Sequence, residues 1–103
     1  MSNSAWKMLS LDSIVAISPD QVSCELDGEA VILNLKKGAY YGLDEVGATI
    51  WSLLAEPVAV SKILETLLER YEVERGRCLD DLLALLAELH ERGLIRIGDA
   101  GSS

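Results

Sequence analysis

The sequence predicts an α+β fold of the winged helix-turn-helix type, a three-stranded antiparallel sheet followed by three helices. Three observations lead there. Val22, Cys24 and Leu26 alternate with Ser23 and Glu25, the period of a strand. Two turn sequences, Asp27-Gly28 and Lys36-Lys37-Gly38, follow in quick succession. From residue 44 onward the apolar residues recur at helical spacing. A chain of 103 residues makes one domain with one modest core. Half its residues are apolar and 5% aromatic, with no Phe, so that core is aliphatic.

Residues 1–10 and 99–103 read as loose polar tails around a domain at 11–98. Residues 13–18 are short and β-branched, and Pro19-Asp20 stops them with a turn. The alternation at 22–26 predicts a half-buried strand. Asp27-Gly28 suits a tight hairpin turn in which both residues take positive φ. Residues 29–35 return as a more uniformly apolar and therefore central strand. After the turn at 36–38, residues 39–43 form the third strand, which lies at an edge.

Asp44 stands where an N-cap belongs, with Glu45 favourable in the first turn. Val46, Ile50, Trp51, Leu53 and Leu54 continue that helix until Glu56-Pro57. A second helix covers about 60–71, with Ile63, Leu64, Leu67, Leu68 and Tyr71 on one face. Ser61 is its candidate cap, because Ala59 occupies the usual position. Glu74-Arg75-Gly76 connects to a third helix over about 77–92, stopped by Gly93. Residues 94–97 are extended and suited to pair with 14–17.

The third helix has two apolar stripes. Cys78, Leu82, Leu85 and Leu89 form a sufficient core face, and Leu79, Leu83 and Leu86 form a second stripe beside it. Two readings fit the second stripe: a helix wedged between the other helices and the sheet, or one wall of an apolar groove beside the edge strand.

The search for chemistry returns no catalytic set. His90 is the only imidazole, and Cys78 lies about 18 Å from it along the same helix at 1.5 Å rise per residue. Asp80, Asp81, Glu88 and Glu91 read as the solvated face of an amphipathic helix. Gly38, Gly42 and Gly47 have neither the spacing nor the Lys of a phosphate loop. Two Cys and one His fall short of a structural zinc site, so neither a metal nor a cofactor is expected. Cys24 and Cys78 read as small buried or half-buried thiols of a cytoplasmic protein.

Net charge is −8, which opposes binding to nucleic acid. The last helix is itself acidic, so it lacks the surface of a recognition helix despite the helix-turn-helix outline. No apolar run approaches the roughly 20 residues of a membrane span, and the first ten residues do not resemble a signal peptide. What remains is the edge. Residues 39–43 have no later strand to pair with, and an open edge exposes unpaired donors and acceptors that proteins either blunt or use. With no catalytic set in the chain, the edge reads as used, as a docking strip for another peptide.

Several short pieces stand in a specific order: the strand 31–35, Tyr41-Gly42-Leu43-Asp44, Gly47-Ala48-Thr49-Ile50-Trp51, the helix with Ile63, Leu67 and Tyr71, then Asp81-Leu82, Leu85-Leu86, Leu89 and Gly93-Leu94-Ile95. Together, over about residues 13–97, they resemble the PqqD family of pyrroloquinoline quinone biosynthesis and the wider recognition elements of ribosomally made, modified peptides. The Gly47–Trp51 stretch and the paired tyrosines are most similar to the stand-alone leader-recognition proteins of split lasso-peptide systems. Ala59 departs from the polar cap common in such proteins.

The resemblance implies a non-enzymatic adaptor. It would bind the leader region of a precursor peptide and present it to a separate leader peptidase of the cysteine-protease type, with a cyclase acting afterwards. The implied mode is antiparallel strand addition along Ala39, Tyr40, Tyr41 and Gly42. One tyrosine then faces the groove and its neighbour faces away. Leu79, Leu83 and Leu86 would line the opposite wall, with Cys78 or Leu82 at its base. Lys36 and Lys37 either attract acidic leader residues or simply protect the sheet edge. A winged-helix transcription regulator and a non-catalytic activating subunit of a peptidase are the alternatives.

Overall fold

The structure is a computed structural model, and residues 9–19, 21–27 and 29–99 are described. The order is β1 (Ser13–Ile17), β2 (Gln21–Leu26), β3 (Glu29–Asn34), β4 (Ala39–Leu43), α1 (Glu45–Leu53), β5 (Val58–Ala59), α2 (Val60–Arg70), α3 (Arg75–Glu91) and β6 (Ile95–Asp99). It is an α+β architecture with two antiparallel sheets, β2-β3-β4 and β5-β1-β6.

The β2-β3-β4 sheet is the expected meander. Leu26 pairs with Glu29 across a two-residue loop, and Asp27 has φ of +53°. Asp20 and Gly28, both assigned to turns, lie outside the described residues, as do residues 1–8 and 100–103. The second turn has a device that the sequence reading passed over. The Asn34 side-chain oxygen accepts from the N–H groups of Lys36 (3.0 Å) and Lys37 (3.1 Å), while its carbonyl accepts from Gly38 (2.8 Å). Gly38 takes φ of +65°, where a side chain would be strained.

Ala30, Ile32 and Asn34 of β3 face the core, and Val31 and Leu33 face outward. Cross-strand partners share a face, so Cys24 (opposite Val31) and Val22 (opposite Leu33) are exposed. This corrects the half-buried assignment of Val22 and Cys24. Ser23 and Glu25, on the other face of β2, are exposed too, because this strand overhangs the core.

Asp44 caps α1, accepting from Gly47 N–H at 2.8 Å. Gly47 fits closely there: an added Cβ would lie 3.1 Å from Leu43 Cδ2 and 3.3 Å from the capping oxygen, and both would have to give by a few tenths of an ångström. The helix ends at Leu53, short of Glu56-Pro57, and Val46 points away from the core. Ser61 does not cap α2. The cap position is Ala59 in β5, and the Ser61 N–H instead donates to the Leu11 carbonyl at 3.0 Å. A neighbouring segment thus does what the missing side chain would have done.

Helix α3 begins at Arg75, two residues ahead of expectation. It closes at Gly93 (φ +76°) with Gly93 N–H on the His90 carbonyl and Leu94 N–H on the Leu89 carbonyl, a Schellman motif. The chain then enters β6, which pairs with β1 in the anticipated segment, Val15 opposite Ile97. Strand β5, which completes that sheet, was not anticipated.

The core lies between the two sheets and the helices, around Val15, Ile32, Ile63, Leu64, Leu82 and Leu89. It also takes in Leu9, and Ser10 N–H donates to Ser13 Oγ at 3.0 Å. The packed region therefore starts inside the segment read as tail, and at the other end β6 extends to Asp99.

Candidate functional site

In its sheet β4 pairs only with β3, so among the described residues its other flank is an open edge. Along that flank runs a cavity of ≈ 790 Å³ bounded by β4, the first turn of α1, the end of α2 and the first half of α3. Its apolar surface comes from Leu43, Val46, Ile50, Leu67, Val73, Leu82 and Leu85. Such a cavity beside unpaired strand groups offers two kinds of binding: backbone pairing along the edge and apolar contact for alternate side chains.

Helix α3 presents Cys78, Asp81, Leu82 and Leu85 to this cavity, the i, i+3, i+4, i+7 set of a single helical face. One turn further on, the same face reaches Tyr41. The Tyr41 hydroxyl faces the charge of the Glu88 carboxylate, Arg92 Nη2 lies 3.3 Å from Glu88 Oε2, and the Arg92 guanidinium covers the Tyr41 ring. Burial, with help from Glu88, holds the Tyr41 hydroxyl above its usual pKa. Burial first and the Asp81 charge second push the Cys78 thiol up as well. A thiol held protonated beside a carboxylate is a poor nucleophile.

At the far side Tyr71 closes the cavity. Thr49 Oγ1 donates to the Glu45 carbonyl at 3.1 Å, so its single hydroxyl proton is committed. Tyr71 OH, 3.0 Å from the same oxygen, is then the donor between them.

Residues 39–42 all lie on the open edge. Tyr41 and Gly42 line the cavity, whereas Tyr40 points to the opposite face of the sheet and is 76% exposed. Lys36 and Lys37 sit in the turn at the Ala39 end of β4, with Lys37 Nζ 3.9 Å from where a Cβ on Gly93 would be. Cys78 and Leu82 are in the cavity wall.

Leu79, Leu83 and Leu86 are not. Leu86 is fully buried in the core, Leu79 packs partly against it, and Leu83, also packed against the core, lines a second depression along α3 that ends at Glu88, Glu91 and Arg92. The two stripes were visible in the sequence, but their roles overlap. The stripe read as core is core at Leu82 and Leu89 and also reaches the cavity through Cys78, Leu82 and Leu85, and the stripe read as wall is core at Leu86. Asp81, Leu85 and Tyr71 were missed as lining residues. Leu85 carried a signal, its place in the Cys78 stripe, whereas the approach of Tyr71 depends on how the helices pack.

His90 is exposed, as expected, and among the described residues no group of three or more His, Cys, Asp or Glu is placed to hold a metal ion. Among the described residues no helix is long and apolar enough to cross a membrane.

The family model for coenzyme PQQ synthesis protein D (PqqD) matches residues 29–95. TbiB1, solved in complex with the TbiA(beta) leader peptide, is 38% identical. The match covers 79% of this chain and 94% of that one, with a TM-score of 0.74. A lasso peptide synthetase B1 complexed with the leader peptide is 27% identical over 80% of this chain and 96% of that one, with a TM-score of 0.71. No curated protein matches the chain.

Proposed function

Because the chain belongs to the PqqD family, we propose that it is a non-catalytic adaptor for the leader segment of a ribosomally made precursor peptide, of the lasso type. The leader lies along Ala39–Leu43 as an added strand, and the adaptor hands the precursor to a separate leader peptidase. The observation that carries this reading is the open flank of β4 facing an apolar cavity walled by α3. Two structural neighbours hold leader peptides, which supports the class of ligand.

Backbone pairing on an edge accepts many sequences, so selectivity falls to side chains that enter the cavity. Tyr41 faces the side on which those chains alternate inward, and Leu85 meets them from the helix above the buried Leu82. The test is titration of TbiA(beta) leader peptide into isotope-labelled protein. Shifts are expected in the amides of 39–43 and of Cys78, Asp81 and Leu85. Perturbation confined to β1, β6 or the outward face of α3 would overturn the reading. Delivery is tested by adding a leader peptidase from a lasso system: the adaptor should accelerate leader cleavage, and no acceleration would remove that step alone.

A further inference from the structure

The groove is electrically unlike at its two ends. At the Leu43 end the charged side chains lining the cavity are Asp44, Glu74 and Asp81 against Arg77, a net negative rim. At the Ala39 end stand Lys37, close to Gly93, and Arg92, which lies over Tyr41 and is bridged to Glu88. With Lys36 of the same turn, three cations stand there against Glu88 and Glu91, an excess of one positive charge against the trend of a chain whose net charge is −8. Four residue steps at about 3.4 Å separate the strand ends by about 14 Å. That exceeds the Debye length of about 8–10 Å near physiological ionic strength, so a bound peptide senses the two ends separately.

Direction follows from the sheet. All its pairings are antiparallel, and antiparallel addition is the more stable continuation. The amino-terminal part of an added strand then lies beside Leu43, and its carboxyl-terminal part beside Ala39 and the turn at 36–38. We propose that the bound peptide is itself charge-polarised, with basic side chains in its amino-terminal part and acidic ones in its carboxyl-terminal part. Asp81 with Glu74 and Lys37 with Arg92 are the specificity determinants. They set orientation and register, which edge pairing alone leaves loosely defined. This proposal rests on the peptide-binding reading above and specifies the peptide.

The experiment walks a three-residue block along the TbiA(beta) leader peptide, once as lysines and once as glutamates, and measures affinity at low and high salt. Comparing the two blocks at the same position cancels the loss of the native side chains. Lysine is expected to win at amino-terminal positions and glutamate at carboxyl-terminal ones, by about threefold each way at low salt and by less at high salt. Lys37→Glu should erase the glutamate preference alone, and Asp81→Lys the lysine preference alone. Lysine favoured everywhere, as net charge by itself would dictate, overturns the proposal, and so does a reversed order. A flat response to the blocks, with the unmodified peptide binding normally, also overturns it while leaving the adaptor reading intact. An unmodified peptide that does not bind removes both.

Discussion

The Arg92 guanidinium lies 4.8 Å from the centroid of the Tyr41 ring, and Glu88 pairs with Arg92 at 3.3 Å while its charge acts on the Tyr41 hydroxyl. Contacts of this kind contribute about 0.5–1 kcal/mol each at partly exposed sites. Position matters more than strength here. The trio ties the last turn of α3 to the middle of the edge strand, and so fixes the width of the groove at that point. Tyr41 thereby serves the sheet, the helix and the cavity lining at once.

That arrangement has a pH signature. The folded state raises the Tyr41 pKa above its ordinary 10.0, chiefly through burial and then through Glu88. A raised value favours the protonated form in the folded protein. Its contribution to stability is therefore complete below about pH 10 and is lost as pH rises through the folded value. Urea unfolding of the wild type and of Tyr41→Phe at pH 8 and pH 11 measures this. The stability advantage of the wild type over the variant is expected to shrink at the higher pH. A constant difference would mean that the hydroxyl is as free in the folded chain as in the unfolded one.

The two cysteines report on opposite faces of the sheet. Cys24 is exposed on the outer face of β2, and Cys78 lines the cavity with its thiol held protonated by burial and Asp81. Alkylation followed by mass spectrometry at pH 8 should modify Cys24 first. Bound leader peptide should slow Cys78 several-fold further and leave Cys24 unchanged, since reaction requires an accessible thiolate. Equal protection of both would place the peptide elsewhere.

How much of this could be read in the sequence divides along local and non-local lines. Asp27, Asp44 and Gly93 act through hydrogen bonds or dihedrals within a few residues, and each does what its residue type suggests. The edge position of β4 was legible as well, because successive hairpins fix strand order. The burial of β2 was not. Its alternation was right in period but silent about the core, which stops short of Val22 and Cys24. The α3 stripes failed for a related reason. Periodicity shows that Leu82–Leu85 and Leu79–Leu83–Leu86 lie on different faces, yet which face meets the edge strand depends on the rotation of the helix in its packing. Ala59 shows the converse: a missing cap looked like a doubtful boundary, and a backbone carbonyl from Leu11 supplied the acceptor.

Proline tests the edge directly. Backbone donors along an antiparallel strand point alternately to the partner and away from it. Tyr40→Pro and Tyr41→Pro therefore remove donors of opposite orientation from β4. One is expected to keep a native fold by circular dichroism and lose leader affinity at least tenfold, and the other to destabilise the sheet. If both fold and bind normally, strand addition is not the mode of binding.

Leucine-to-glutamate substitutions on α3 separate wall from core. Leu85 is half-buried and lines the cavity, so Leu85→Glu should weaken leader binding at least tenfold while the domain stays folded. Leu83 is also half-buried but lines the second depression rather than the cavity beside β4, and Leu83→Glu should leave affinity within about twofold at a small stability cost, about 1 kcal/mol. Leu86 is fully buried among core residues, and truncation to Ala there should cost about 2–5 kcal/mol in urea unfolding. The comparison is sharp because the three residues differ little in chemistry and lie within one turn of a single helix. An affinity loss at Leu83 equal to that at Leu85 would mean that the peptide runs along the second depression of α3, and the cavity beside β4 would no longer be its seat.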